Sequence, residues 1–455
     1  MKHLTPQIIA DITGGEYIGR DEDLNIRVQG AARDNREVMP GNLFICIPGT
    51  RVDGHSFAQS AFEAGAACCL AERTLTDVTG PYVRVKSTLE AVKTLGGYYR
   101  SLSDIPIIGI TGSVGKTTTK ELVAAVLGAR FSVLKTPENL NNELGVPLTL
   151  LSLTDQHEAA VIEMGISDFG EMSVLAEMVR PDILVMTTIG HAHLDALGDL
   201  DGVLKAKTEV FLYMRASGIG ILNGDDEFLR KYDPGLRKIT FGLGHGNDFR
   251  SENIRADGIA SVSCDIVSDK GRFWVTIPAF GEHLAMMALP AAAAGRLLGL
   301  SDEEIIRGLN AYIPVGGRSN VKETGHITLI DDCYNASPAS VKAALKSLAG
   351  LTGRRVAILG DMLELGDHAD DLHREIGEAA YRHSLDSLIC CGDKARLVYD
   401  GFVTSGGTSA RYFKTKAELI AELPELIEKD DIVLVKASHS MGFGEIVEYL
   451  AAMMI

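Results

Sequence analysis

The sequence predicts an α/β protein in which apolar strands alternate with helices along most of the chain. With 455 residues the chain is too long for a single hydrophobic core, so several domains are expected. Strand–helix alternation begins near Ile105 and begins again after the Pro-Val-Gly-Gly turn at 314–317. Such alternation predicts parallel sheets with helices on both faces. We therefore expect three domains, the first of them small and mixed α/β.

We place these domains at residues 1–104, 105–313 and 314–455. The central domain should carry a P-loop type of parallel sheet, and the third should be a Rossmann-like α/β unit with ligands at the carboxyl ends of its strands. Residues 250–278 alternate with period two, which predicts added antiparallel strands. The other predicted strands are 43–47, 82–85, 159–162, 183–188, 219–222, 328–330, 356–359, 388–391 and 432–435.

Composition excludes several classes of protein. Hydrophobic residues make up 46% and charged residues 23%, as in ordinary globular proteins. The net charge of −17 repels nucleic acid and anionic membranes, so neither is expected as a partner. Seven cysteines without a Cys-x-x-Cys pair, and no signal-peptide pattern, predict a cytoplasmic protein. The apolar stretch 285–300 contains Pro290 and is too short to span a bilayer, so we expect a buried helix.

The glycine-rich stretch after the strand at 107–111 is the most informative feature. An apolar strand, a turn and a helix start in this order let consecutive N–H groups cradle phosphate oxygens, with a lysine ammonium nearby. The usual first glycine is replaced by Ile110, so the working unit is the shorter run that ends in Gly-Lys-Thr. This run predicts ATP binding by Gly112, Ser113, Val114, Gly115, Lys116, Thr117 and Thr118, with the Thr117 hydroxyl offered to Mg²⁺.

Other polar side chains follow predicted strands of the central domain. Glu163 ends a buried strand, where an acid beside a phosphate loop is well placed to hold Mg²⁺. A helix-capping or solvated carboxylate is the alternative. His191 and His193 follow the next strand; if the chain stays extended, they point in opposite directions and only one faces the site.

Two further groups of residues allow both a functional and an ordinary interpretation. Lys205 and Lys207 lie on a predicted helix over 202–214, where a solvated face is the default expectation. In the third domain, Arg318, Asp332, Tyr334 and Asn335 cluster near the domain entry and a strand end, where surface turn residues are also common. Local pattern alone leaves both cases open.

Ten short runs are distributed along essentially the whole chain. They are Asp-Asn-Arg (34–36), Pro-Gly-Asn-Leu-Phe (40–44), Asp-Gly-His-Ser-Phe (53–57), the glycine-rich loop (112–118), Glu-Asn-Leu-Asn-Asn-Glu-Leu-Gly-Val-Pro (138–147), Glu-Met-Gly (163–165), Ala-His (192–193), Ala-Lys-Thr-Glu (206–209), Asp-Asp-Cys-Tyr-Asn-Ala-Ser-Pro (331–338) and Gly-Asp-Met-Leu-Glu-Leu-Gly (360–366). In this order and spacing the runs resemble the Mur ligases. The last two favour the members that add D-alanyl-D-alanine, and the Asp-Asn-Pro-Arg run of the diaminopimelate-adding members is absent.

The resemblance implies roles for individual residues. Lys116 would hold the ATP phosphates, Thr117 the first Mg²⁺, and Glu163 with His193 a second Mg²⁺. Lys207 would be the family's carbamylated lysine and an anionic metal ligand, selected over Lys205 by its Ala-Lys-x-Glu frame. Further nucleotide contacts would come from Asn139, Asn142, Arg318, Asp332 and Asn335. The first domain would hold the uridine nucleotide of the substrate through Asn35, Arg36, Asp53, Gly54 and His55.

The implied activity is an ATP-dependent peptide ligase. It would add D-alanyl-D-alanine to UDP-N-acetylmuramoyl-tripeptide through an acyl phosphate, as the last cytoplasmic step of peptidoglycan precursor assembly, and act as a monomer. The alternatives are another ligase of the same fold (diaminopimelate- or lysine-adding, or folylpolyglutamate-like) and a catalytically quiet nucleotide-binding regulator. A GTPase switch is disfavoured because no Asn-Lys-x-Asp is present.

Two departures from the family pattern bear on nucleotide binding. The usual His-Asn-x-x-Asn is here His283-Leu284-Ala285-Met286-Met287, so both amides are missing. The usual Lys-Gly-Ser-Arg reads Lys-Ala-Ser-His at 436–439, so an anion contact is lost. We expect apolar packing or backbone groups to hold the adenine, with weaker selectivity for the base.

Overall fold

The computed structural model describes residues 4–49 and 52–453. They form sheets of five, nine and six strands, each contained in one of the three predicted segments. The α/β class is confirmed, while the domain boundaries stay a prediction.

The first sheet has the order β1-β5-β4-β3-β2, parallel except where β1 pairs with β5. The predicted strands 43–47 and 82–85 correspond to β3 and β5. The elements are α1 (Pro6–Thr13), β1 (Glu16–Ile18), β2 (Gly30–Ala32), β3 (Asn42–Ile45), α2 (Ala58–Glu63), β4 (Cys68–Ala71), β5 (Tyr82–Arg84) and α3 (Thr88–Ser101).

The central sheet has the order β14-β13-β12-β11-β10-β9-β6-β8-β7. Strands β6 to β11 are parallel, and β12 to β14 pair antiparallel with one another, as the period-two pattern predicts. The strands are β6 (Ile107–Thr111), β7 (Val133–Lys135), β8 (Ala159–Glu163), β9 (Ile183–Met186), β10 (Ile219–Asn223), β11 (Arg237–Gly242), β12 (Phe249–Asp257), β13 (Ser261–Ser268) and β14 (Gly271–Ile277). The helices are α4 (Lys116–Gly128), α5 (Gly145–Leu151), α6 (Glu171–Val179), α7 (Leu194–Leu197), α8 (Leu200–Thr208), α9 (Glu227–Lys231), α10 (Leu284–Leu297) and α11 (Asp302–Asn310).

Strand β6 lies between β8 and β9. The strands that follow it in the sequence are therefore placed first on one side of β6 and then on the other. Ligands of doubly wound sheets bind outside the carboxyl ends of the strands at such a switch point. The carboxyl ends of these three strands carry the glycine-rich loop, Glu163 and the two histidines.

The third sheet has the order β15-β16-β20-β17-β18-β19, parallel except for β15. Four of these strands are predicted from the sequence, and the two edge strands, which are short and partly polar, are not. The elements are β15 (Asn320–Glu323), β16 (Thr328–Asp331), α12 (Pro338–Ala349), β17 (Arg355–Gly360), α13 (Ala369–Arg382), β18 (Ser387–Cys391), α14 (Ala395–Thr404), β19 (Ala410–Phe413), α15 (Lys416–Leu426), β20 (Ile432–Lys436) and α16 (Gly444–Ala452).

Two helices differ in detail from the expectation. The predicted helix 202–214 is α8 followed by a 3₁₀ turn at Glu209–Tyr213. The apolar stretch 285–300 forms α10, which is buried against α4 and the central sheet. Within the described ranges, no helix combines the length and apolar character needed to cross a membrane.

Helix α3 joins the first domain to the central one. Its residues Val92, Leu95 and Tyr99 belong to a hydrophobic cluster that continues into α5 and one face of the central sheet. On the same face, Gly96 allows close approach of Pro147: a Cβ added to Gly96 would lie 2.6 Å from the Pro147 Cβ and 2.9 Å from its Cα. The position of the first domain therefore depends on this helix contact.

Gly96→Ala should lower the free energy of unfolding by about 1–3 kcal/mol, because the new methyl group overpacks the contact with Pro147. The matched control is Gly97→Ala on the same helix, where an added Cβ would meet only Met178 at 3.9 Å. That variant should gain about 0.5–1 kcal/mol from helix propensity. Urea unfolding of both would measure the difference, and equal effects would contradict the packing argument.

Candidate active site

A cleft of about 1250 Å³ lies where the three domains meet. Its walls are residues from the first domain such as Glu72 and Thr88, the glycine-rich loop, and the carboxyl ends of the third sheet. The predicted site residues that line it are Ser113, Val114, Gly115, Lys116, Thr117, Thr118, Asn142, Glu163, His193, Arg318, Asp332 and Asn335.

The glycine-rich loop has the backbone that its glycines permit. Gly112 and Gly115 have φ of +137° and +84°, which disfavour side chains. A Cβ on Gly112 would lie 2.0 Å from the Thr187 Oγ1, so this glycine is also required by space. The Thr187 hydroxyl donates to the Val114 carbonyl at 2.6 Å and fixes the loop on β9.

Lys116 begins α4, and its ammonium bends back over the loop. Its Nζ donates to the Gly112 carbonyl at 2.8 Å. Burial lowers the pKa of Lys116; the nearby Glu163 carboxylate opposes this effect and the Arg318 guanidinium adds to it. An ammonium at this position is placed to pair with an anion bound on the loop.

Glu163 is a buried carboxylate at the end of β8. Its Oε1 accepts from the Thr117 hydroxyl at 3.1 Å and from the Asn141 amide at 2.8 Å. Its Oε2 is buried and accepts no hydrogen bond from any described residue, although the Lys120 ammonium lies 3.9 Å away. An unpartnered carboxylate oxygen beside a threonine hydroxyl is a donor set that suits a divalent cation.

The three asparagines near Glu163 make different contacts. Asn139 and Asn142 stay predicted contacts of the nucleotide, and Asn141, which was not predicted, is the one whose amide donates to Glu163. Asn142 accepts from the Gly145 N–H at 2.9 Å and so caps α5 while lining the cleft. The Asn139 side chain is outside the cleft wall, within hydrogen-bonding reach of the Tyr334 side chain.

Both histidines after β9 line the cleft, whereas an extended chain predicted one. The reason is that the chain does not stay extended: His193 has φ of +55° and turns into α7. The His193 Nδ1 lies 2.6 Å from the Glu364 Oε2 of the third domain. Burial lowers the pKa of His193, Glu364 opposes this, and Lys207 and Lys116 add to it.

Lys207 and Lys205 are in opposite environments on α8. Lys207 is 1% exposed, and its ammonium has no hydrogen bond or ion pair with any residue in the described part of the chain. Burial, aided by Lys116, lowers the pKa of Lys207 well below its ordinary value. Lys205 is exposed, with its ammonium 5.8 Å from the centre of the Phe169 ring. Burial therefore disfavours the charged form of Lys207, whereas the Lys205 side chain is exposed to solvent.

The third domain contributes an ion pair at the end of β20. The Lys436 Nζ lies 2.7 Å from the Asp332 Oδ2 and 2.9 Å from the Asn335 carbonyl oxygen. Lys436 is 3% exposed and lines the cleft, yet it was not selected as a site residue. Its position at a predicted strand end was the signal that could have identified it.

Arg318 and His439 both contact the ring of Tyr334. The Arg318 guanidinium lies 4.1 Å from the ring centre, and the His439 ring centre lies 5.2 Å away. Burial raises the pKa of Tyr334, while Arg318 and Asn139 lower it. The histidine that replaces the family's arginine therefore packs on an aromatic ring in the cleft.

The departures in α10 make one wall of the cleft apolar. Leu284, Met286 and Met287 line the cleft beside His283. A Cβ added to Gly115 would lie 2.7 Å from the Met287 Cε, so this methionine packs directly on the phosphate loop. Burial lowers the pKa of His283, and its Nδ1 has no hydrogen-bond partner among the described residues.

Asn35 and Arg36 lie outside the cleft wall. The Asn35 amide donates to the Ser60 hydroxyl at 3.2 Å. The Arg36 side chain is 83% exposed and pairs with Asp34, and this pairing lowers the pKa of Asp34 to about 2. Their assignment to substrate binding stays a prediction.

Asp53, Gly54 and His55 form a tight turn that also lies outside the cleft wall. The His55 Nε2 accepts from the Glu72 N–H at 2.9 Å, so its Nδ1 carries the proton and donates to Asp53 at 2.6 Å. Asp53 also pairs with Arg73 at 2.7 Å. These contacts hold Glu72 in place in the cleft wall, and a direct role in substrate binding stays a prediction.

Comparison with protein families gives one assignment for all three parts of the chain. Models described as Mur ligase family, catalytic domain; Mur ligase middle domain; and Mur ligase, glutamate ligase domain match residues 27–97, 110–295 and 317–439. The chain belongs to the Mur ligase family.

Relatives match over nearly the full length. The UDP-N-acetylmuramoyl-tripeptide–D-alanyl-D-alanine ligase of Bacillus subtilis is 35% identical over 98% of both chains. A crystal structure of MurF from Acinetobacter baumannii is 30% identical, with a TM-score of 0.88 over 99% of each chain. MurF of Thermotoga maritima, solved in complex with ADP, is 28% identical, with a TM-score of 0.80 over 95% of this chain and 98% of that one.

The lowered pKa of Lys207 predicts a pH-dependent cost of folding in metal-free, CO₂-depleted buffer. Below about pH 10.4 the unfolded chain keeps a proton on this lysine, while the folded protein has lost it above the lowered pKa. In that window the free energy of unfolding should rise with pH. Lys207→Met should remove this rise and be more stable at neutral pH, by about 1.4 kcal/mol per unit of pKa difference.

Urea unfolding between pH 7 and 10 would test this, with the exposed Lys205→Met as the matched control. That control should follow the wild-type curve. Parallel curves for wild type and Lys207→Met would contradict the argument.

Proposed function

We propose that this chain is the ATP-dependent ligase that joins D-alanyl-D-alanine to UDP-N-acetylmuramoyl-tripeptide in peptidoglycan precursor synthesis. Full-length relatives carry this activity in their names. The observation that carries the proposal is the convergence on one cleft of the phosphate loop with Lys116, the buried pair Thr117 and Glu163, and Arg318 from the third domain.

In this proposal each of the three domains has a different role in substrate binding. Residues 1–104 hold the uridine nucleotide through Asn35, Arg36, Asp53, Gly54 and His55, residues 105–313 bind ATP, and residues 314–455 close over it. The proposal includes action as a monomer in the cytoplasm, and the net charge of −17 disfavours nucleic acid and anionic membranes as partners.

The nucleotide phosphates lie on the N–H groups of the glycine-rich loop. The Lys116 ammonium pairs with them, and Arg318 approaches from the opposite wall, since its guanidinium is close enough to lower the pKa of Lys116. The remaining contacts are assigned to Asn139, Asn142, Asp332 and Asn335. Met287, packed on Gly115, offers the base an apolar surface in place of the family's amide.

The proposed Mg²⁺ ligands are Thr117 and Glu163 for one ion and Glu163, His193 and Lys207 for another. The buried Glu163 Oε2 without a hydrogen-bond partner supports this assignment. When bound, the ions neutralise charge that develops on the transferred phosphoryl group. Lys207 fits an anionic ligand only after its neutral amine has added CO₂ and lost a proton, which yields a carbamate.

The chemistry follows from the need to activate a carboxylate. Its oxygen attacks the ATP γ-phosphorus, ADP leaves, and an acyl phosphate forms. The amine of D-alanyl-D-alanine then attacks the carbonyl carbon, phosphate leaves with the bonding electrons, the nitrogen loses a proton, and an amide remains. Lys116 and Arg318 stabilise the phosphate charge, and closure of the third domain excludes water that would hydrolyse the acyl phosphate.

Purified protein with Mg²⁺-ATP, D-alanyl-D-alanine and either the diaminopimelate or the lysine tripeptide should release phosphate and form the pentapeptide, detected by mass spectrometry. Lys116→Ala should lower the rate on the order of 10²-fold or more, because a preorganised cation at the phosphates is lost. Lys416→Ala, outside the cleft wall, should match the wild type. ATP binding without product from either tripeptide would favour a sister ligase or a regulator instead.

Carbamylation of Lys207 should be detectable by ¹³C NMR after incubation with ¹³C-bicarbonate and Mg²⁺. We expect a carbamate signal in wild type and in the matched Lys205→Ala variant, because Lys205 is solvated. Lys207→Ala should lose both the signal and most of the activity. Full activity of Lys207→Ala in bicarbonate-free buffer would contradict the assignment.

A further inference from the structure

Glu364 of the third domain makes two contacts with the central domain at the cleft. Its side-chain Oε2 lies 2.6 Å from the His193 Nδ1. Its main-chain carbonyl accepts a hydrogen bond from the Leu194 N–H at 3.0 Å. One residue thus binds both the side chain of His193 and the first turn of α7.

The backbone on both sides of this contact is unusual. His193 and Glu364 have φ of +55° and +62°, a region that non-glycine residues seldom adopt. Gly366 follows with φ of +54°, and a Cβ added there would lie 3.3 Å from the Asp195 Oδ1. For the non-glycine residues His193 and Glu364 such backbone is strained, and it persists where surrounding contacts determine it, often at functional sites.

We infer that Glu364 is a positioning residue that makes His193 competent to bind metal only when the third domain is closed on the central one. The inference rests on the proposed role of His193 as a metal ligand. When the His193 Nδ1–H donates to Glu364, the lone pair of Nε2 is left for a cation and the ring cannot rotate. Because acceptor and histidine belong to different domains, closure and metal binding become one event.

An ordinary surface ion pair is the competing explanation, and the two differ in what they predict. The Glu364 side chain is 59% exposed, so its pairing contributes little to stability in either case. A positioning role requires that loss of the carboxylate weakens metal binding, whereas a surface pair requires no such effect. Metal affinity therefore decides between them, and thermal stability serves only to verify folding.

The variants are Glu364→Ala, Glu364→Gln and the control Glu445→Ala. Glu445 is also in the third domain, is 64% exposed and pairs with Lys416 at 3.0 Å, but it lies outside the cleft wall. Mn²⁺ binding in the presence of a non-hydrolysable ATP analogue would be measured by electron paramagnetic resonance. The Mg²⁺ concentration for half-maximal ligase activity and the radius of gyration by X-ray scattering complete the test.

Glu364→Ala should bind the second Mn²⁺ about 10–100-fold more weakly, the range typical of lost second-layer contacts to a metal ligand. It should need correspondingly more Mg²⁺ and remain more expanded with the nucleotide analogue bound. Glu364→Gln should stay within about 3-fold of the wild type, since its amide oxygen still accepts from Nδ1–H. Glu445→Ala should not change.

Wild-type Mn²⁺ affinity and Mg²⁺ dependence in Glu364→Ala would overturn the inference, as would an equal loss in Glu445→Ala. Failure of the wild-type protein to form product would instead overturn the proposed function. The two failures are therefore distinguishable.

Discussion

The burial of the Glu163 carboxylate is the constraint on which the rest of the site depends. A charge removed from water is costly unless it is paired and hydrogen-bonded. Glu163 is 1% exposed, and Thr117 and Asn141 satisfy only one of its oxygens. The surrounding groups are accordingly cationic: Lys120 lies 3.9 Å from the second oxygen, and Glu163 opposes the fall in the pKa of Lys116. A site built this way favours a divalent cation at the second oxygen.

Two lysines with a lowered pKa occupy different environments: Lys116 lines the cleft, whereas Lys207 is not part of its wall. Lys207 is buried and lies in the positive field of Lys116, and Lys116 lies in that of Arg318, with no carboxylate bonded to either ammonium among the described residues. Both therefore have a lowered pKa, but Lys116 retains a carbonyl acceptor and Lys207 has none. A lysine in that position is costly as a cation and useful as a neutral nucleophile.

Site features that depend on neighbours in the sequence could be predicted, and those that depend on distant residues could not. The strand, loop and helix around Gly112 and Lys116 are determined by neighbours in sequence, as is Glu163 at the end of β8, and the sequence locates them within a residue or two. The contact of Asn141 with Glu163 was not predicted, because three asparagines stand within four positions. Only the tertiary path of the loop determines which of them reaches Glu163. Lys436 stands at a predicted strand end, but its pairing with Asp332, 104 positions earlier in the chain, is set by the tertiary fold and not by a local pattern.

The contact between His193 and Glu364 shows most clearly why part of the site lay beyond sequence reasoning. Extended spacing predicted that one histidine faces the cleft, but a left-handed turn at His193 brings both to its wall. That turn is held by a residue 171 positions away in another domain, within the Gly-Asp-Met-Leu-Glu-Leu-Gly run. In the proposed role of His193 as a metal ligand, the orientation of its ring depends on a residue of a separate domain. On that proposal the site is completed by the contact between the central and third domains, and the energy of bringing them together is part of the energy of binding the substrates.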